Sequence, residues 1–130
     1  MPLAPSRYAK LLGERLAKHG ATAYLVNTGW SGGPYGVGHR MKLRLTRAMV
    51  TAAVNGDLAD VKTTLDPIFG LHVPEHIDGV PDEILQPRNT WNDKEAYDKQ
   101  AKSLAAKFVE NFKRYEPVPD AVRNAGPRAD

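Results

Sequence analysis

The chain has 130 residues, of which 42% are hydrophobic and 25% charged, with a formal net charge of +3. That is one domain or a piece of a larger one, with apolar content for a single core, and it excludes a wholly disordered chain or a fibrous repeat. No apolar run approaches the roughly 18 residues of a membrane helix, the first ten residues hold no signal-peptide core, and the lack of cysteine excludes disulfides, thiolate zinc sites and cysteine nucleophiles, a set that suits a cytoplasmic protein with no membrane partner.

Ser6 is the expected N-cap of a first helix running from about Arg7 to His19, with Tyr8, Leu11, Leu12 and Leu16 on one face and Gly20 as the stop. The apolar run Ala21–Val26 reads as a buried strand. A glycine loop follows, with Gly29, Gly32, Gly33, Gly36 and Gly38 in one ten-residue window, which argues against a helix there. Lys42–Leu45 suits a short extended piece. Thr46 then caps a helix that stops at Asn55-Gly56.

Val61–Thr64 and Gly70–Val73 are short strand candidates around Asp66-Pro67. Pro74 to Pro87 reads as irregular, with one turn of helix at Asp82–Leu85. Asn92 and Glu95 have the spacing of a capping box for a long helix over Asp93–Arg114. Its apolar stripe is Tyr97, Ala101, Leu104, Ala105, Phe108 and Phe112, and Glu95–Lys99, Asp98–Lys102 and Glu110–Arg114 are spaced for ion pairing. The proline-containing tail, 116–130, is expected to be mobile or draped on the surface.

Charge is concentrated. Between Glu14 and Asp57 no acid occurs, while Arg15, Lys18, Arg40, Lys42, Arg44 and Arg47 do. Four of them fall within Arg40–Arg47, and such clustering attracts anions. The focus on one segment fits a compact phosphate ligand better than nucleic acid, whose binders are usually basic throughout. A solvated basic face is the plain alternative. Glycines let backbone approach a ligand closely, and Arg40 offers charge-assisted hydrogen bonds. No Gly-Lys-Ser or Gly-Lys-Thr follows them, so this is no Walker A loop, and Met41 stands where Gly-x-Gly-x-x-Gly requires glycine. Pro74 between His72 and His76 argues against a helical zinc pair. Asp78, Asp82 and Glu83 read as solvated loop acids, and Trp30 and Trp91 as packing residues.

Leu25-Val26-Asn27-Thr28-Gly29-Trp30, followed by Gly36-Val37-Gly38-x-Arg40-Met41, resembles the C-terminal region of ATP-dependent phosphoenolpyruvate carboxykinases. The likeness continues through Thr46-Arg47, Asp66-Pro67-x-Phe69-Gly70-Leu71, Val73-Pro74, Gly79-Val80, Leu85-x-Pro87-Arg88-Asn89-Thr90-Trp91 and Phe108-Val109-Glu110-Asn111-Phe112. It implies an α/β fold, a mixed sheet with flanking helices, with residues 1–115 forming the nucleotide-binding portion of a carboxykinase-type C-terminal domain. It also implies ATP contacts by Arg40, Met41 and Thr46, with no catalytic residue and no metal ligand in this segment. His39 departs from the lysine frequent in that family. The resemblance further implies the conversion of oxaloacetate and ATP to phosphoenolpyruvate, ADP and CO2, with Mg or Mn. The P-loop and metal ligands are expected upstream, so the 130 residues are expected to be a C-terminal fragment, inactive alone. A stand-alone, non-enzymatic nucleotide- or anion-binding module is the alternative.

Overall fold

The computed structural model describes residues 4–27 and 29–129. Thr28 of the glycine loop, and residues 1–3 and 130 of the expected domain and tail, lie outside the described residues. Helix α1 is Pro5–His19. It starts two residues earlier than the sequence reading, because Pro5 has the fixed φ suited to a first helical position. Ala4, not Ser6, is the N-cap. Lys18 and His19 occupy the last turn, where cations oppose the carbonyl end of the helix dipole.

The strand expected at Ala21–Val26 does not form. Residues 21–27 carry no regular structure, and Leu25 is 84% exposed. A strand exists only through the ladder it shares, and among the described residues no strand pairs with this segment.

The glycine loop instead closes a small hairpin. Strands β1, Trp30–Ser31, and β2, His39–Arg40, pair antiparallel with Trp30 opposite Arg40 and Ser31 opposite His39. The Met41 N–H donates to the Gly29 carbonyl at 3.1 Å, extending the ladder by one bond. Inside the loop, the N–H groups of Val37 and Gly38 both donate to the Pro34 carbonyl, at 3.0 and 2.9 Å. Gly38 is set by space: a Cβ there would lie 2.6 Å from the Ser31 carbonyl oxygen, closer than any real contact allows.

Helix α2 is Leu43–Asn55, with Lys42 as N-cap and Gly56 as the stop. The extended piece expected at Lys42–Leu45 is therefore the cap and first turn of this helix, and Thr46 lies within it. The Lys42 carbonyl takes the N–H groups of Leu45 and Thr46, at 2.9 and 3.4 Å, which fixes the start there. Strands β3, Thr63–Leu65, and β4, His72–Pro74, form a second antiparallel ladder, shifted one or two residues from the expected runs. The connecting turn rests on Asp66, whose Oδ1 accepts from the Ile68 and Phe69 N–H groups.

The expected mixed sheet is thus two separate two-stranded antiparallel ladders. Each joins neighbouring segments by a short loop, a connection that yields antiparallel pairing. The combination of helices with these ladders is in keeping with an α/β segment.

Helices α3, Asp82–Leu85, and α4, Pro87–Thr90, follow. Helix α5 is Lys94–Phe112 and passes into a 3-10 turn, Lys113–Tyr115. Asp93, not Asn92, caps α5, accepting from the Ala96 N–H at 2.9 Å. The expected spacing pairs on α5 are replaced by others: Asp98 turns to Arg88, and Glu110 pairs with Lys113. The tail carries a short helix α6, Asp120–Asn124, and the Arg128 N–H donates to the Ile68 carbonyl at 2.7 Å. One buried cluster joins Ala52 of α2, Ile77 and Val80 of the turn before α3, and Leu85 of α3, with Ala48, Met49, Leu58 and Ile84 against it.

Candidate functional site

The glycine hairpin leads β2 directly into α2, and this brings the basic residues to one place. Arg40 ends β2, Lys42 caps α2, and Arg44 and Arg47 lie in its first turns; all four are exposed. Among the described residues none of the four enters an ion pair. Their charge is uncompensated, so the patch attracts anions, and the positive end of the α2 dipole adds to it.

The three residues expected to meet a nucleotide occupy this junction without forming one enclosed pocket. Arg40 is exposed, while Met41 and Thr46 are half-buried. Met41 lines a cavity of about 220 Å³ with Ser31, His39, Lys42, Arg44 and Ile84. Arg40 and Thr46 lie outside that cavity's lining. His39, which stands where lysine is frequent in the resembling family, faces the cavity beside Lys42.

The hairpin is held from behind by residues to which the sequence reading gave no role. The Thr90 hydroxyl accepts from the Gly32 N–H at 3.1 Å and donates to the Pro87 carbonyl at 2.7 Å. Helix α4, which carries Thr90, is fixed to α5 by charge. Arg88 donates from Nε and Nη2 to both Asp98 carboxylate oxygens, at 2.8 and 2.9 Å. This fork holds the Asp98 carboxyl below its usual range and raises Arg88 further. Lys94 Nζ donates to the carbonyls of Arg88, Asn89 and Trp91, at 3.0, 3.0 and 2.7 Å, closing the C-terminal end of α4. Burial, with Asp66 and Asp98 nearby, raises the Tyr97 phenol. Thr90 sits in the block Arg88-Asn89-Thr90-Trp91, whose likeness to the carboxykinases was the only signal that could have drawn attention to it.

Among the described residues no three His, Asp or Glu side chains come together to hold a metal ion. The divalent ion that the resemblance implies does not fit a cage of these residues. No described helix is long and apolar enough to cross a membrane.

The elements define a glycine-hairpin-to-helix segment of an α/β kind with an anion-attracting face. A family model described as phosphoenolpyruvate carboxykinase matches residues 1–83, and the chain belongs to that family. It is 56% identical over 128 residues to the ATP-dependent phosphoenolpyruvate carboxykinase of Caldanaerobacter subterraneus subsp. tengcongensis, covering 98% of this chain and 25% of that protein. It is 57% identical over 127 residues to the second such enzyme of Moorella thermoacetica, covering 98% of this chain and 24% of the relative. With the enzyme of Geobacillus kaustophilus it shares 53% over 126 residues, 97% of this chain and 24% of that one. The chain therefore spans about a quarter of the length of the curated relatives it matches.

Proposed function

We propose that these residues are the C-terminal, ATP-contacting part of an ATP-dependent phosphoenolpyruvate carboxykinase, which takes oxaloacetate and ATP to phosphoenolpyruvate, ADP and CO2. The observation that carries this reading is the 56% identity over 98% of the chain with an enzyme of that name. The exposed, unpaired basic junction at the end of the glycine hairpin supports it. Arg40 binds the nucleotide, its guanidinium reaching phosphate oxygens or stacking on the base. Met41 supplies an apolar wall beside it, and the Thr46 hydroxyl a hydrogen bond. In this reading catalysis and the metal ion, Mg or Mn, belong to residues elsewhere in the enzyme, as the family resemblance implies. The 130 residues alone are therefore inactive in this reading, and the cytoplasm, where ATP and oxaloacetate are held, is its setting.

The test is Mg-ATP binding by the full native protein carrying Arg40→Ala. Loss of a charge-assisted contact is expected to weaken affinity roughly 10- to 100-fold. Titration calorimetry showing unchanged affinity would remove Arg40 from the site.

A further inference from the structure

We propose that Thr90 is a positioning residue for nucleotide binding: it latches the glycine hairpin to the α4–α5 unit and so fixes the direction in which the hairpin presents Arg40. This rests on the reading of Arg40 as an ATP contact. Three observations lead to it.

The first is the bond itself. The Gly32 N–H to Thr90 Oγ1 bond, at 3.1 Å, joins residues 58 positions apart and is partly buried. It is made at the loop side of β1, one residue beyond Ser31, which pairs with His39 next to Arg40. A shift of Gly32 is therefore passed through one ladder step to the strand that carries the arginine.

The second is the fit around Gly32. Its φ is +78°, in the left-handed region that favours glycine. A Cβ there would lie 3.1 Å from the Thr90 carbonyl oxygen and 3.4 Å from the His39 ring. A side chain at position 32 would therefore make the loop or α4 give by a few tenths of an ångström, in a backbone conformation that side chains rarely adopt.

The third is that Thr90 is itself held. Its hydroxyl proton goes to the Pro87 carbonyl, which leaves an oxygen lone pair aimed at the Gly32 N–H. Helix α4 is pinned to α5 by the Arg88–Asp98 fork and by Lys94 across its last carbonyls. A four-residue helix has little stability of its own, so these charged groups are what make Thr90 a fixed point. Serine keeps this hydroxyl and valine replaces it with a methyl of similar volume.

The experiment compares Thr90→Val, Thr90→Ser, Gly32→Ala and Arg40→Ala in the full native protein. Two quantities are read: Mg-ATP affinity by calorimetry, and exchange of the Gly32 amide hydrogen by NMR or mass spectrometry. Thr90→Val is expected to weaken Mg-ATP binding roughly three- to tenfold, the effect of one hydrogen bond, and to speed Gly32 exchange by at least as much. Thr90→Ser is expected to restore both. Gly32→Ala, which leaves Thr90 intact but pushes the loop off it, is expected to weaken Mg-ATP binding likewise, and it serves as the test if Thr90→Val does not fold. Thr90→Val binding Mg-ATP normally beside a weakened Arg40→Ala protein would overturn the latch alone. Arg40→Ala binding normally would overturn the reading beneath it. Failure of serine to rescue would also overturn the latch, since it would assign the loss to packing.

Discussion

At the scale of single residues, His76 has a defined protonation demand. Its Nδ1 lies 2.8 Å from Asp82 Oδ1 and its Nε2 3.1 Å from Asp78 Oδ1. Carboxylates only accept, and a neutral imidazole has one donor and one acceptor, so both bonds together require the imidazolium. The Asp82 bond, then the Asp78 bond, raise the His76 pKa above its ordinary value of 6.5. The folded pKa exceeds the unfolded one, so this contribution to stability is complete below about pH 6.5 and is lost as pH rises through the folded value. The groups are exposed, so the effect is modest and screened by salt. The bonds bracket Ile77 and Val80, both core residues. Urea midpoints of the 130-residue chain are therefore expected to fall between about pH 6 and pH 8, and His76→Gln is expected to flatten that fall. An equal fall in the variant would mean that other groups carry it.

At the scale of elements, α5 shows what spacing can and cannot decide. Both Asn92 and Asp93 are good capping residues, and the Asn92–Glu95 spacing favoured the first. The backbone chose the second: Asp93 is in the extended conformation of a cap, with φ −100° and ψ 107°, and its side chain accepts from Ala96. Asp93→Ala is expected to destabilise the chain by about 1 kcal/mol and Asn92→Ala by a few tenths. Denaturant titration of the pair checks this, and a larger loss for Asn92→Ala would reverse the assignment. The ion pairs on this helix follow the same lesson. Asp98 sits where Lys102 could meet it, yet the Arg88 guanidinium offers two parallel donors in place of one, and that tertiary partner wins. Helix α4 escaped the sequence reading because four residues opened by a proline carry no periodicity.

At the scale of the whole molecule, apolar faces outnumber the elements that cover them. Tyr8, Leu11 and Leu12 of α1 are exposed, and α1 has no buried residue. Leu104 and Phe108 of α5 are exposed although Ala101 and Ala105 beside them are buried. Their helical stripes were legible from spacing, because the 3.6-residue period is local. What lies on them is not local, and a period cannot supply it. The same limit explains the failed strand at Ala21–Val26, whose composition is strand-like but whose partner is not among the described residues. The nucleotide contacts proposed for Arg40, Met41 and Thr46 rest on resemblance, since glycine count and charge gave only an anion-attracting loop. The 130-residue chain alone is expected to enhance 8-anilinonaphthalene-1-sulfonate fluorescence several-fold, and the full native protein much less per molecule. Equal enhancement per molecule would show that these faces stay open in the native state.

Gly38 carries a consequence at the level of the gene. Its backbone does not depend on a left-handed φ; it is the Gly33 and Ser31 carbonyl oxygens that leave no room for a Cβ. Every missense change of a glycine codon adds at least that one carbon. Codon 38 thus admits no conservative replacement, and random drift at this position is expected to be read out two residues away, at Arg40, before it is felt anywhere in the buried cluster.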